Sequence, residues 1–307
     1  GHLDVVPEGD DWTVPPFGGE VRDGKIFGRG TTDDKGPVVA CLYAMKAISD
    51  SGYRPEKKIR LILGLDEETS WSGMYYYLDR VKAPDYGFTP DADFPVINGE
   101  MGFLVFDLAK KFTKSAARGL ELRSLKGGTA ANMVADNARA VVRSEDTQIY
   151  EKIKAIGAEY RLSSGNKIKF KGIGKSLEIT ADGIAAHGAH PEEGLNAISI
   201  IFEFLGKLNF ANESTNEFIE FYNKHIGFDI RGSKIGCACT DEISGELIFN
   251  VGLVSLTPEA GSFTINVRYP VTVKDETVYN SLKPVLDEYD FGIIKIKHQV
   301  PIFINPA

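Results

Sequence analysis

The sequence predicts an α/β chain in which a second, α+β domain is inserted into an incomplete first one. Three observations predict it. At 307 residues the chain exceeds the usual size of one hydrophobic core, so two domains are expected. Lys58 to Leu65 is an Ile/Leu-rich run of the kind that fills a buried strand, with helical patterns on either side. From about Phe106 to His298 the pattern changes to strands alternating with longer amphipathic helices. The expected boundaries are 1–105 for the first domain, 106–298 for the second, and 299–307 for the start of a return to the first.

Each element has a local reason. Val38, Val39, Leu42, Met45 and Ile48 recur at near-helical spacing, and Pro37 suits a first turn, so a helix is expected from Gly36 to Ser49. A second helix is expected over Gly73 to Val81. Asp23-Gly24 separates Gly19–Arg22 from Lys25–Phe27 as a tight hairpin would. In the second domain the helices are Thr147 to Tyr160, Asn196 to Leu208 and Asp275 to Tyr289. The strands are Leu120 to Leu125, Ser176 to Asp182, Leu247 to Leu256 and Ser262 to Tyr269. Two β-α-β groups in tandem make an open, helix-covered sheet of the ferredoxin-like type, suited to a lid inserted in the first domain.

Composition narrows the function. A formal charge of -8 without a Lys/Arg-rich block argues against nucleic acid or an anionic membrane as partner. Lys110, Lys111 and Lys114 read as a solvated edge. No apolar run is long enough to span a bilayer. Cys41, Cys237 and Cys239 form no disulfide framework, which points to a reducing cytoplasm, and Cys237-Ala238-Cys239 reads as structural. The chain opens directly on the motif Gly1-His2-Leu3-Asp4 and closes on the apolar run Val300 to Ala307, so truncation at both ends is expected.

The chemistry-bearing residues form four groups in order. His2 and Asp4, one residue apart, share a face of an extended segment, and Asp4 can accept the proton of the imidazole nitrogen turned away from a metal. Gly28-Arg29-Gly30-Thr31-Thr32-Asp33-Asp34-Lys35-Gly36 gathers carboxylates just before a helix. It lacks the glycine spacing and Lys-Ser/Thr ending of a phosphate loop, and metal binding fits its charge better. Asp66-Glu67-Glu68 follows the expected buried strand, where α/β folds place their sites. Adjacent glutamates point to different sides, so one can bind metal while the other handles a proton. Asp91, within Pro90-Asp91-Ala92, is a further carboxylate and by itself a turn residue.

Taken together, these groups resemble the co-catalytic zinc peptidases that include aminoacylase, glutamate carboxypeptidase and carnosinase, with most likeness to bacterial PepV-type Xaa-His dipeptidases. The resemblance implies Asp33 as the carboxylate bridging two zinc ions, His2 and Asp91 as the other ligands of one, and Glu68 as a ligand of the second. It implies Glu67 as general base and Asp4 as the group orienting His2. It also implies that His187, in Gly183-Ile184-Ala185-Ala186-His187-Gly188, donates to the oxyanion, and that Asn132 and Arg268 help hold the substrate, Arg268 through its terminal carboxylate. Read alone, His187 is a structural histidine, Asn132 a turn or cap residue and Arg268 an edge-strand arginine. His190 does not match the motif, and His225 and His298 have no ligand-like neighbourhood.

The function this implies is hydrolysis of short peptides of the Xaa-His kind by a monomer that uses two Zn²⁺ ions, with Mn²⁺ or Co²⁺ as possible replacements. The alternatives are an N-acyl-amino-acid amidohydrolase or desuccinylase of the same family, or a non-catalytic metal-binding remnant. The sequence departs from the family in two respects: the later histidine that completes the Glu68 zinc is absent from the 307 residues, and so is the strand expected before Gly1. The chain by itself is therefore expected to hold one metal and to show little activity.

Overall fold

A computed structural model of the chain describes residues 1–9, 12–93, 95–113 and 118–305. The chain divides into two units, Gly1–Ile97 and Asn98–Ala307, and it is a mixed α/β fold with a central sheet.

In the first unit, Asp23-Gly24 closes the hairpin β1 (Glu20–Arg22) and β2 (Lys25–Phe27), with Val21 opposite Ile26. Helix α1 (Gly36–Asp50) carries Pro37 in its first turn, where a missing N–H costs nothing. Helix α2 spans Ser72–Arg80. Of the apolar stripe on α1 only Val38 is buried; Val39, Leu42 and Ile48 are exposed. Lys58–Leu65 corrects the expectation of a buried strand. Ile59, Leu63 and Leu65 are exposed, and the segment's only pairing among the described residues is a parallel bridge between Gly64 and His2. An extended run becomes a strand only through a ladder of neighbours, and this one has a single rung: Gly64 N–H donates to the Gly1 carbonyl and Leu3 N–H to the Gly64 carbonyl, both at 2.9 Å.

The second unit begins with β3 (Gly99–Glu100), β4 (Gly102–Lys111), β5 (Glu121–Gly127), β6 (Asn137–Arg143) and α3 (Ile149–Ser164). The hairpin β7 (Lys167–Ile173) and β8 (Ser176–Asp182) follows, and then helices α4 (Ala197–Leu205) and α5 (Glu213–His225). After the short β9 (Thr240–Asp241) and β10 (Gly245–Glu246) come β11 (Ile248–Leu256), β12 (Ala260–Tyr269), α6 (Asp275–Glu288), β13 (Gly292–Gln299) and β14 (Ile302–Phe303).

Eight of these strands form one antiparallel sheet in the order β13-β4-β12-β11-β5-β6-β8-β7. Its halves meet at β11 and β5, and the first half, β13-β4-β12-β11, has the strand order of a ferredoxin-like unit, as expected. Each edge strand exposes lysines, Lys167, Lys169 and Lys171 on β7 and Lys295 and Lys297 on β13, which blunts edge-to-edge pairing.

Period-two alternation sets the core face. On β4 it buries Leu104, Phe106 and Leu108, and the same register carries Lys110 inward. Lys110 is therefore no part of a solvated edge: it is 7% exposed, and its ammonium donates to Glu217 at 2.6 Å and to the Tyr289 carbonyl at 2.8 Å. Lys111 is exposed, and Lys114 lies outside the described residues. Helix α4 reads AISIIFEFL, apolar nearly all round, and is buried as such a helix must be. Phe218 on α5 stacks on Phe263 of β12 at 4.3 Å and touches Phe112, Phe202 and Phe291. Phe218→Ala removes the centre of this cluster, and urea unfolding is expected to show a loss of about 3–5 kcal/mol. No helix among the described residues is long and apolar enough to cross a membrane.

Candidate metal centre

Backbone pairing delivers His2 to the site. The Gly64 bridge holds the segment and buries the imidazole to 1% exposure, and the His2 N–H donates to Asp34 Oδ2 at 3.1 Å. His2 Nε2 then lies 2.9 Å from Asp33 Oδ1, 3.6 Å from Asp91 Oδ2 and 3.8 Å from Glu67 Oε2. Two overlapping groups, His2/Asp33/Asp91 and His2/Glu67/Glu68, each bring their ligand atoms within 4.8 Å of one another. The five residues named for the metals and the base thus converge within the first unit.

The other side of the ring is held differently from expectation. Nδ1 is 2.9 Å from the Asp4 backbone carbonyl, closer than the 3.4 Å to Asp4 Oδ1. The Asp4 carboxylate instead accepts the Glu67 N–H at 3.2 Å and the Glu68 N–H at 3.1 Å. One residue therefore fixes both the imidazole tautomer, through its carbonyl, and the loop bearing the two glutamates. The acidic triplet also separates by role. Asp66 turns to the start of α2, accepting from Ser70 Oγ, Ser72 Oγ and the Gly73 N–H, and the Ser72 bond leads the interactions that hold its carboxyl below the ordinary range. Glu67 and Glu68 remain with His2.

Charge makes the site receptive to a cation. Burial raises the carboxyls of Glu67, Glu68 and Asp91 above their ordinary range, and neighbouring carboxylates add to each rise. Burial pulls His2 down, but the bonds to Asp33 and the Asp4 carbonyl, with Asp91 and Glu67 nearby, leave it raised. Asp34 Oδ1 is buried without a hydrogen-bond partner among the described residues. One nitrogen and several carboxylate oxygens is the donor set of a zinc-type centre, so these residues fit a divalent ion.

Three further residues lie in the second unit. Met133 and His187 form an antiparallel bridge, and the Gly188 N–H donates to the Asn132 carbonyl at 2.7 Å, so Asn132 and His187 sit on paired segments. His187 Nδ1 accepts the Ala189 N–H at 3.3 Å, which leaves the proton of the neutral ring on Nε2. Burial first, and then Arg268 and His190, lower the His187 pKa below 6.5. Arg268 is not on an edge: β12 lies between β4 and β11, and the half-buried guanidinium leaves Nε without a hydrogen-bond partner among the described residues. Burial pushes the Cys237 thiol up to about 12, in keeping with a structural role, and His298 Nε2 pairs with the Tyr269 hydroxyl at 2.9 Å.

Sequence reasoning passed over Asp34, visible in the Asp33-Asp34 doublet but indistinguishable there from its neighbour. It also left Asp66 without a role, although Ser70 and Ser72 after it are a helix-start signal.

An α/β fold with a buried imidazole beside several carboxylates fits a metal-dependent class of protein. Residues 1–303 match Peptidase family M20/M25/M40, and the chain belongs to that family. It is 34% identical over 296 residues to "Putative dipeptidase YtjP" of Bacillus subtilis, covering 96% of this chain and 63% of the relative. It is 34% identical over 309 residues to "Putative dipeptidase SH1171" of Staphylococcus haemolyticus, covering 99% and 65%. The chain thus spans 63–65% of the length of these curated relatives. Among solved structures, an aminoacylhistidine dipeptidase from Vibrio alginolyticus is 15% identical, with a TM-score of 0.45 over 99% of this chain and 67% of that one.

Proposed function

We propose that the protein is a metal-dependent dipeptidase acting on short peptides such as Xaa-His. The observation that carries this reading is the convergence of His2 Nε2 with Asp33, Asp91, Glu67 and Glu68. In it His2, Asp33, Asp91 and Glu68 would hold the metal. A divalent ion bound there supplies a Lewis acid that acidifies water and polarises the scissile carbonyl.

The chain's own groups do the rest. Glu67, its carboxyl raised by burial, would take a proton from water and return it to the leaving amine. Asp4 fixes the Glu67 backbone and the His2 ring. His187 would offer its Nε2–H to the developing oxyanion, from the tautomer that the Ala189 bond favours. Arg268 would offer its guanidinium to the substrate carboxylate, and Asn132 an exposed amide to the peptide. Family membership and the dipeptidase names of the relatives support the substrate class.

The test compares zinc-dependent release of histidine from Xaa-His dipeptides with release of amino acids from N-acetyl and N-succinyl substrates, using the full-length protein. Dipeptide turnover is expected to dominate; preferred cleavage of the N-acyl compounds would replace this reading with an amidohydrolase.

The His187 assignment carries its own prediction. An NMR titration is expected to place its midpoint below 6.5, and Arg268→Met to raise it by removing a repelling charge. The folded state binds this proton less tightly than the unfolded chain, so His187 costs stability as the pH falls below 6.5.

A further inference from the structure

Asn250 is a polar residue in the middle of an apolar strand. It lies on β11, 2% exposed, directly opposite Asn266 of β12, which is 3% exposed. Its side chain does not serve the sheet. Nδ2 donates to the Ala131 carbonyl at 3.1 Å and to the Met133 carbonyl at 2.9 Å, the two residues flanking Asn132. A single buried amide therefore clamps the Asn132 segment from both sides.

The surrounding backbone is shaped for that clamp. The β11–β12 register shifts between Val251 and Leu253, and Gly252 at this bulge lies so close to the Ala131 carbonyl that no side chain fits. The clamped segment continues to His187. The Val134 N–H donates to the Ala186 carbonyl at 2.9 Å, Met133 bridges His187, and the Gly188 N–H donates to the Asn132 carbonyl at 2.7 Å. Gly188 has no room for a side chain either: a Cβ there would meet the Asn132 carbonyl oxygen at 2.8 Å. Asn196 anchors the same part of β11 from another direction, donating from Nδ2 to the Val251 carbonyl at 2.8 Å while its oxygen caps α4.

We infer that Asn250 is a positioning residue: it sets the 131–133 segment and, through the bridge, the placement of His187. The inference rests on the reading above that Asn132 and His187 meet the substrate. A leucine at 250 keeps the branched shape, though it is larger, and removes both donors, leaving the Ala131 and Met133 carbonyls without this partner, and the segment loosens. Loss of an oxyanion donor's placement appears in the chemical step more than in binding.

The experiment compares wild-type protein, expressed from its complete gene, with Asn250→Leu, and with Asn250→Ser should leucine not fold. Hydrogen exchange at the Gly188 and Val134 amides is expected to quicken by about tenfold or more, while Leu177 and Ile179, in the β6–β8 ladder, stay within about twofold. In the metal-loaded protein kcat is expected to fall by about tenfold or more with KM changed far less. Unchanged exchange at Gly188 and Val134 overturns the inference, and so does equal quickening at Leu177 and Ile179, which marks a purely structural residue. Unchanged kcat in Asn250→Leu overturns it where His187→Ala lowers kcat. If His187→Ala and Asn132→Ala both turn over like wild type, the substrate-contact reading fails instead, and the exchange data alone decide whether Asn250 positions the segment.

Discussion

Replacing Glu67 with alanine is expected to lower kcat by about 10³-fold in the full-length protein while metal content stays near that of wild type. Glu67 and Glu68 share one loop, with both backbone amides held by Asp4, so removing the Glu67 side chain leaves its neighbour in place. Asp33 and Asp91 reach His2 from other segments. Metal analysis beside steady-state kinetics checks this. Loss of metal along with turnover would make Glu67 a ligand, and unchanged turnover would remove it from the mechanism.

Stripping and restoring metal is expected to have the second large effect, with a defined pH dependence. His2, Glu67, Glu68 and Asp91 all hold protons more tightly in the folded chain than ordinary groups do. A group with a raised folded pKa contributes stability below its unfolded value and loses it as the pH rises through the folded one. The metal-free protein should therefore weaken from about pH 4 upward through neutrality, as charge accumulates around His2. A bound divalent ion reverses this, because the same groups deprotonate to bind it. Zinc at about 100 times its dissociation constant should add about 2.7 kcal/mol to stability at pH 7.5, and less at pH 5. Thermal denaturation with and without zinc at the two pH values measures it. Asp33→Ala, which removes the oxygen closest to His2, should abolish the shift.

The α/β class, the hairpin at Asp23-Gly24 and α1, α2, β8, β12 and α6 were legible because their signals are local: turn residues, helical spacing and alternation. β4 and α5 went unread for the same reason. Asp107 and Lys110 interrupt the apolar pattern of β4, and α5 shows its apolar face, Phe218, Ile219, Phe221 and Tyr222, within a largely polar run. Lys58–Leu65 misled in the other direction, since composition reports the ability to be a strand but pairing needs a partner segment. At the candidate site the residue types and their order were readable, and the resemblance supplied their roles. The contacts that fix them were not. That Asp4 uses its carbonyl toward His2 and its carboxylate toward Glu67 and Glu68, that Asp34 holds the His2 backbone, and that Asn250 grips both sides of Asn132 depend on backbone paths between distant segments, which no local pattern encodes.

The central claim is that His2, Asp33, Asp91 and Glu68 hold metal, and a zinc-edge anomalous difference map of zinc-loaded, full-length crystals tests it most directly. The account predicts peaks at about 2.0–2.2 Å from His2 Nε2 and from the carboxylate oxygens of Asp33, Asp91 and Glu68. A map with no peak there, or with its peak at His187 or His190, would contradict it.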